Sequence, residues 1–274
     1  MFGIMFRGIA VGVTETIPGV SGSTIAMILG IYERLIYSLS ILTTNQRKNA
    51  LPFLFTFGIG MIVGFLFGIF LIDYLLKNYR TPTLMFFIGI IIGFLPYLWK
   101  ETLSLSENKL KVKHYIIIFL FLCLVIFVQL LGGMGNIDLN NLSLINYLFF
   151  AISGMIASTA LVLPGISGAL VLTIFGIYET AMESLISLNL PVILSIGSGV
   201  MLGVLISSRL IRYLLINFKI ETYAAMIGLV SGSIYAILSN LEGNINNQTI
   251  ILSLITFFSG IGFIVILKQT QQSN

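Results

Sequence analysis

Pro18-Gly19-Val20-Ser21-Gly22 recurs as Pro164-Gly165-Ile166-Ser167-Gly168, each time inside an apolar stretch. The likeness continues through Gly30-Ile31-Tyr32-Glu33 and Gly176-Ile177-Tyr178-Glu179, all at an offset of 146. Farther on, an offset of 139 aligns Leu51-Pro52 with Leu190-Pro191. The same register pairs Gly58, Gly60, Gly64, Tyr74, Asn78, Gly89 and Gly93 with Gly197, Gly199, Gly203, Tyr213, Asn217, Gly228 and Gly232. Chance alignment of two apolar stretches matches Leu with Ile, not glycine, proline and tyrosine in register. The chain is a duplication, and its fold must be two related halves, here 1–140 and 141–274.

The solvent of these halves is lipid. Hydrophobic residues make up 57% of the 274 and charged residues 9%, where a soluble domain carries about 25%. A membrane span needs roughly 20 apolar residues. Three plain spans follow the motif in each half, at 53–76, 82–99 and 114–132 and at 191–213, 222–240 and 249–267. The polar stretch Lys100 to Lys113 reads as a loop, with His114 a loop histidine beside it. Cys123, the single cysteine, reads as a small apolar side chain within a span. Trp99, Tyr97, Tyr115 and Tyr147 sit near span ends as interfacial anchors. Gly60-x3-Gly64, Gly89-x3-Gly93 and Gly199-x3-Gly203 suit close helix packing.

The motif regions, 3–42 and 147–189, could each cross the membrane once or turn back at Pro-Gly. Charge placement discriminates, because cytoplasmic loops collect Lys and Arg. If both turn back, one face holds Arg7, Arg47, Lys48, Lys100, Lys109, Lys111, Lys113, Arg209, Arg212, Lys219 and Lys268, and the other only Lys77 and Arg80. That is eleven against two, with Arg34 inside the motif left aside; single crossings give seven against six. The expected fold is therefore an all-α polytopic membrane protein of two inverted, antiparallel repeats. Each repeat is a re-entrant helical hairpin plus three transmembrane helices, and both termini are cytoplasmic. Such architecture suits alternating-access carriers, whose site lies where broken helices meet near the midplane.

Irregular backbone at membrane depth is tolerated only where protein buries it or a polar cavity adjoins it. Gly19 and Gly22 allow close approach, Ser21, Ser23 and Thr24 add hydroxyls, and the helix starting there turns its positive end toward a ligand. Gly165, Ser167 and Gly168 repeat the device from the other half. Two such termini on one cavity suit an anion; a pair of packed turns without ligand is the plainer alternative. Arg34, inside the first motif, and Arg209, after Ser207-Ser208, could grip a phosphate with the guanidinium fork. Arg212 reads as snorkelling to the interface. Glu15 has Leu161 as its counterpart, and a carboxylate at that depth is a functional candidate by default. It could carry a coupling proton or pair with a cation such as Arg34. Tyr32-Glu33 and Tyr178-Glu179, near the hairpin mouths, are further candidates for coupling or gating.

With Pro-Gly-Val-Ser-Gly-Ser-Thr-Ile, Leu-Gly-Ile-Tyr-Glu-Arg, the second Pro-Gly-Ile-Ser-Gly and Gly228-Leu-Val-Ser-Gly-Ser233, the chain resembles the bacterial polyprenyl-phosphate transporters over essentially its whole length. The family usually has Asp at the position of Glu15, and often Gly at that of Ser23. The resemblance implies a carrier in the bacterial cytoplasmic membrane that returns undecaprenyl phosphate from the outer to the inner leaflet. There the lipid is reloaded for peptidoglycan and teichoic-acid synthesis, with coupling to a proton or sodium gradient open. It implies a polyprenyl phosphate partner among membrane lipids, no nucleic acid, no cofactor and no metal; whether the chain forms a homodimer is open. Two rival readings remain. Undecaprenyl-diphosphate phosphatases carry a similar Pro-Gly-x-Ser stretch, but with Arg where Gly22 and Gly168 stand here. A carrier of a small soluble anion shares every electrostatic feature and differs only in needing no lipid opening.

Overall fold

The structure, a computed structural model, describes residues 2–17, 19–106, 109–130, 143–241 and 246–273. Pro18, the last two residues of the expected third span and the boundary between the halves at 140/141 lie outside the described residues. Among those described, every regular element is a helix: α1 (Phe2–Thr14), α2 (Gly22–Ile28), α3 (Tyr32–Ser40), α4 (Arg47–Leu105), α5 (Val112–Leu130), α6 (Leu144–Val162), α7 (Gly168–Ile174), α8 (Tyr178–Ile186), α9 (Leu190–Asn217), α10 (Lys219–Leu238) and α11 (Asn247–Ser273). Six of them, α4, α5, α6, α9, α10 and α11, are long and apolar enough to cross a membrane.

A straight α4 of 59 residues would measure ~88 Å, far beyond a hydrocarbon core of ~30 Å. It breaks at Tyr79, where φ is −140° and ψ 43°, into two arms of membrane length. Phe218, which stands 139 residues later between α9 and α10, has φ −136° and ψ 47°. The same corner is built twice.

Packing repeats with the same arithmetic. Gly60 lies against the Met5 backbone and Gly64 against that of Ile9; Gly199 lies against Ala151 and Gly203 against Met155. A Cβ at Gly60 or Gly199 would stand 2.2 or 1.9 Å from a carbonyl oxygen, so these helices touch through bare backbone. Because both partners advance together, α1 runs parallel to the first arm of α4, and α6 parallel to α9. The segments between them must therefore lead the chain back toward the end from which α1 or α6 set out. In the second half that return includes a sharp bend, 111° between α7 and α8.

The remaining helices exchange partners. Gly89 and Gly93, on the second arm of α4, pack on Phe257 and Ile261 of α11; Gly228 and Gly232 of α10 pack on Ile118 and Leu122 of α5. Each half thus lends its last helix to the other. In its most apolar window α10 is 67% buried, against 11% for α5. The first is a central strut; the second presents Phe119, Leu120 and Phe127 outward.

Two expectations are corrected here. The start of the stretch from Lys100 to Lys113 is helical, because Thr102, fully buried and hydrogen-bonded to the Leu98 carbonyl, carries α4 on to Leu105. His114 is not a loop residue: it sits in the first turn of α5 and is only 3% exposed, packed under the start of α10.

Candidate functional site

Both Pro-Gly breaks follow a helix whose end is closed by hydroxyls. Thr14 Oγ1 donates to the Val11 carbonyl at 2.8 Å and Thr16 Oγ1 to that of Val13 at 2.6 Å. Such bonds satisfy carbonyls that lipid cannot. The chain then reverses through Gly19 at φ +81° and, in the second half, through Gly165 at φ +92°, a region that favours glycine. Both glycines rest on α10. A Cβ at Gly165 would stand 2.3 Å from the Leu229 carbonyl carbon, and one at Gly19 3.2 Å from that of Ala236. Those contacts are two helical turns apart, ~10.5 Å along the strut.

The two breaks meet each other directly. Gly165 N–H donates to Thr24 Oγ1 at 2.8 Å, Ser23 Oγ donates to the Leu163 carbonyl at 2.9 Å, and Tyr32 OH to that of Val162 at 3.1 Å. Ser21 and Ser23 hydroxyls are 2.6 Å apart. These bonds form a buried polar seam, with every hydroxyl supplied by the first half. The second-half counterparts of Ser21, Ser23, Thr24 and Tyr32 are Ser167, Ala169, Leu170 and Tyr178, and Tyr178 points outward, 39% exposed.

Glu15 Oε1 accepts from Gly22 N–H at 3.0 Å, so a carboxylate of the chain itself occupies the start of α2. Arg34 is not its partner: that guanidinium lies 4.6 Å over the Phe53 ring. In the second half Leu161 stands in the place of Glu15, its Cγ 2.6 Å from where a Cβ on Gly168 would be. Ser167 caps the start of α7 with no side-chain capping bond. The structure thus joins Glu15, Gly19, Ser21, Gly22, Ser23, Thr24 and Tyr32 to Gly165.

Arg34 and Arg209 stand apart from that seam. Arg209 reaches Thr43 beyond the end of α3, and Arg212 donates to Ser40 Oγ at 3.3 Å while covering Tyr37. Glu33 has a different setting again, pairing with Lys219 at 3.1 Å and accepting from Tyr223 OH at 2.9 Å. The same phenol lies 3.2 Å from Glu101 Oε1. One proton therefore serves two carboxylates where α3, α4 and α10 converge. Glu179 is exposed on α8.

Comparison with known proteins identifies the family. Residues 11–250 match the profile of the VCA0040-like, undecaprenyl phosphate translocase-like family. The chain belongs to that family. It is 38% identical over 271 residues to a Polyprenyl-phosphate transporter of Staphylococcus aureus (strain NCTC 8325 / PS 47), covering 95% of this chain and 93% of the relative. It is 30% identical over 241 residues to a Polyprenyl-phosphate transporter of Vibrio cholerae serotype O1 (strain ATCC 39315 / El Tor Inaba N16961), covering 83% and 74%. No solved structure matches. Both relatives are named as transporters rather than enzymes, and the phosphatase reading falls away.

For this member of the translocase-like family, sequence reasoning missed Tyr223, Glu101 and the supporting role of α10. Their one visible signal was Gly228-Leu-Val-Ser-Gly-Ser233 within a span, which marks a strut that other helices approach closely. Nothing in the sequence ties Glu101 to Glu33.

Proposed function

We propose that the protein carries a polyprenyl phosphate across the membrane, returning undecaprenyl phosphate from the outer to the inner leaflet of a bacterial cytoplasmic membrane. The halves, 1–140 and 141–274, act as inverted repeats, each a re-entrant hairpin plus three spans, with both termini cytoplasmic. The observation that carries the reading is the hydrogen-bonded seam between the two breaks. It is a patch of hydroxyls and backbone amides at membrane depth, held on one buried strut in a chain of this family.

In this reading the headgroup enters where Thr24 now meets Gly165, exchanging bonds within the protein for bonds to phosphate oxygens. A phosphate and the Glu15 carboxylate compete for Gly22 N–H, since two anions cannot share one donor without repulsion. Protonation of Glu15, or its displacement, frees that amide, and this competition is the means of coupling to an ion gradient. Ser167 and Gly168 complete the cradle from the second hairpin, while Arg34 and Arg209 meet the headgroup only as it leaves. The prenyl tail stays in lipid throughout.

The test is reconstitution in liposomes with undecaprenyl phosphate placed in one leaflet, the wild type and Glu15→Gln side by side. The wild type is expected to redistribute the lipid and to respond to an imposed gradient. Glu15→Gln, which keeps an oxygen for Gly22 N–H, is expected to fold but to lose the gradient response. Uptake of free phosphate with no lipid redistribution would replace the reading with a soluble-anion carrier.

A further inference from the structure

At the start of α5 a cavity of about 230 Å3 opens against the start of α10, lined by Lys109, Lys111, Lys113, His114 and Glu221 among others. The Lys111 backbone N–H donates to His114 Nδ1 at 3.0 Å. Nδ1 is therefore an acceptor, and in the neutral ring the proton sits on Nε2. That Nε2 is buried with no hydrogen-bond partner. The Glu221 carboxylate oxygen stands 3.8 Å from it, too far for a bond, and is held by Lys113 at 2.5 Å. A buried donor without an acceptor is unfavourable, and an oxygen ligand removes that penalty. Three lysines around one carboxylate leave the space net positive, which selects an anionic oxygen.

The duplication builds this cavity twice. Its counterpart, about 320 Å3, lies at the other corner of the fold among Lys77, Arg80, Gln248, Thr249 and Leu252. Gln248 and Leu252 stand 139 residues after Lys109 and Lys113, the offset of the repeat. The same step carries His114 to Ser253, whose Oγ is also buried without a partner. A buried polar atom without a partner thus recurs at the equivalent position in each half, next in sequence to a residue that lines the cavity.

We infer that the cavity at the start of α5 binds a phosphate group, His114 Nε2–H donating to one oxygen while Lys109 and Lys111 neutralise the charge. This site shares no residue with the seam between the breaks. The choice of phosphate among oxyanions rests on the proposed function; the site itself rests on the cavity and the orphan donor.

Phosphate binding is read by isothermal titration calorimetry. The full chain in detergent is titrated with inorganic phosphate, farnesyl monophosphate and sulfate. A saturable change with a phosphate probe is expected, and K109Q/K111Q should weaken it about tenfold or more. His114→Phe should weaken it similarly, while His114→Gln, which restores a side-chain N–H near Nε2, should stay near wild type. Response to both phosphate probes supports headgroup recognition, to farnesyl monophosphate alone a lipid source, and to inorganic phosphate alone a soluble one. No saturable change, or one that K109Q/K111Q leaves intact, overturns the site, and sulfate binding as tightly overturns its assignment to phosphate. Binding in detergent needs no transport, so a chain that binds but moves no lipid would count against the proposed function alone.

Discussion

Thr24 is the residue on which the two halves most directly depend, since its hydroxyl is the acceptor for the buried Gly165 N–H. Replacing it with Val keeps the shape and strands that donor. Thr24→Val should lower stability by about 1–3 kcal/mol, while Thr24→Ser should recover most of the loss; thermal unfolding in detergent reads both. If Thr24→Val melts with the wild type, the seam is a contact without consequence. The sequence showed these hydroxyls, and it showed that only the first motif carries the Ser-Thr pair. It could not show that they bond to the opposite break rather than face a ligand, because partners 140 residues apart are brought together by packing alone. Glu15 was legible as an outlier in an apolar stretch, but not its bond to Gly22, which depends on how tightly the chain reverses at Gly19.

At the scale of the helix, the glycines divide into those that meet a neighbour and those that do not. Gly199 faces the Ala151 backbone, where a Cβ would sit 1.9 Å from an oxygen; Gly197, on the same helix, has nothing within 4 Å. Gly199→Ala should therefore destabilise by about 1–3 kcal/mol, the usual range for overpacking. Gly197→Ala should be neutral or stabilising by up to ~1 kcal/mol through helix propensity. Equal melting temperatures would mean that α6 and α9 do not pack as closely as described. Spacing in the sequence flagged Gly199 and Gly203 together, and so identified a packing stripe. Which helix lies against it was not legible, since in lipid the outer face of a span is as apolar as the inner. The boundary of α4 at Leu105 was likewise hidden, because Thr102 looks polar in sequence and becomes a core residue only when its hydroxyl bonds back to Leu98.

For the molecule as a whole, parallel packing of α1 with α4 and of α6 with α9 returns the chain within each half, and the proposed entry of the two hairpins from opposite faces is open to a labelling test. Cysteines introduced at the equivalent positions Asn78 and Asn217, with Cys123 replaced by Ala, should be labelled by an impermeant thiol reagent from opposite sides of sealed vesicles. Labelling of both from one side would exclude the inverted arrangement. Lys77 and Arg80 line one corner cavity, and Lys109, Lys111 and Lys113 line its counterpart. The two copies of one architectural feature thus differ in the number of basic residues that line them. What the sequence alone determined is the membrane class and the duplication. These depend on residue types and spacing, and lipid enforces them on any fold the chain adopts. Only the tertiary structure decided that the halves exchange their last helices, that α10 carries both breaks, and that His114 is buried with a donor unspent. Those outcomes turn on which glycine stripe meets which backbone, and uniform hydrophobicity leaves no periodic signal from which to read that choice.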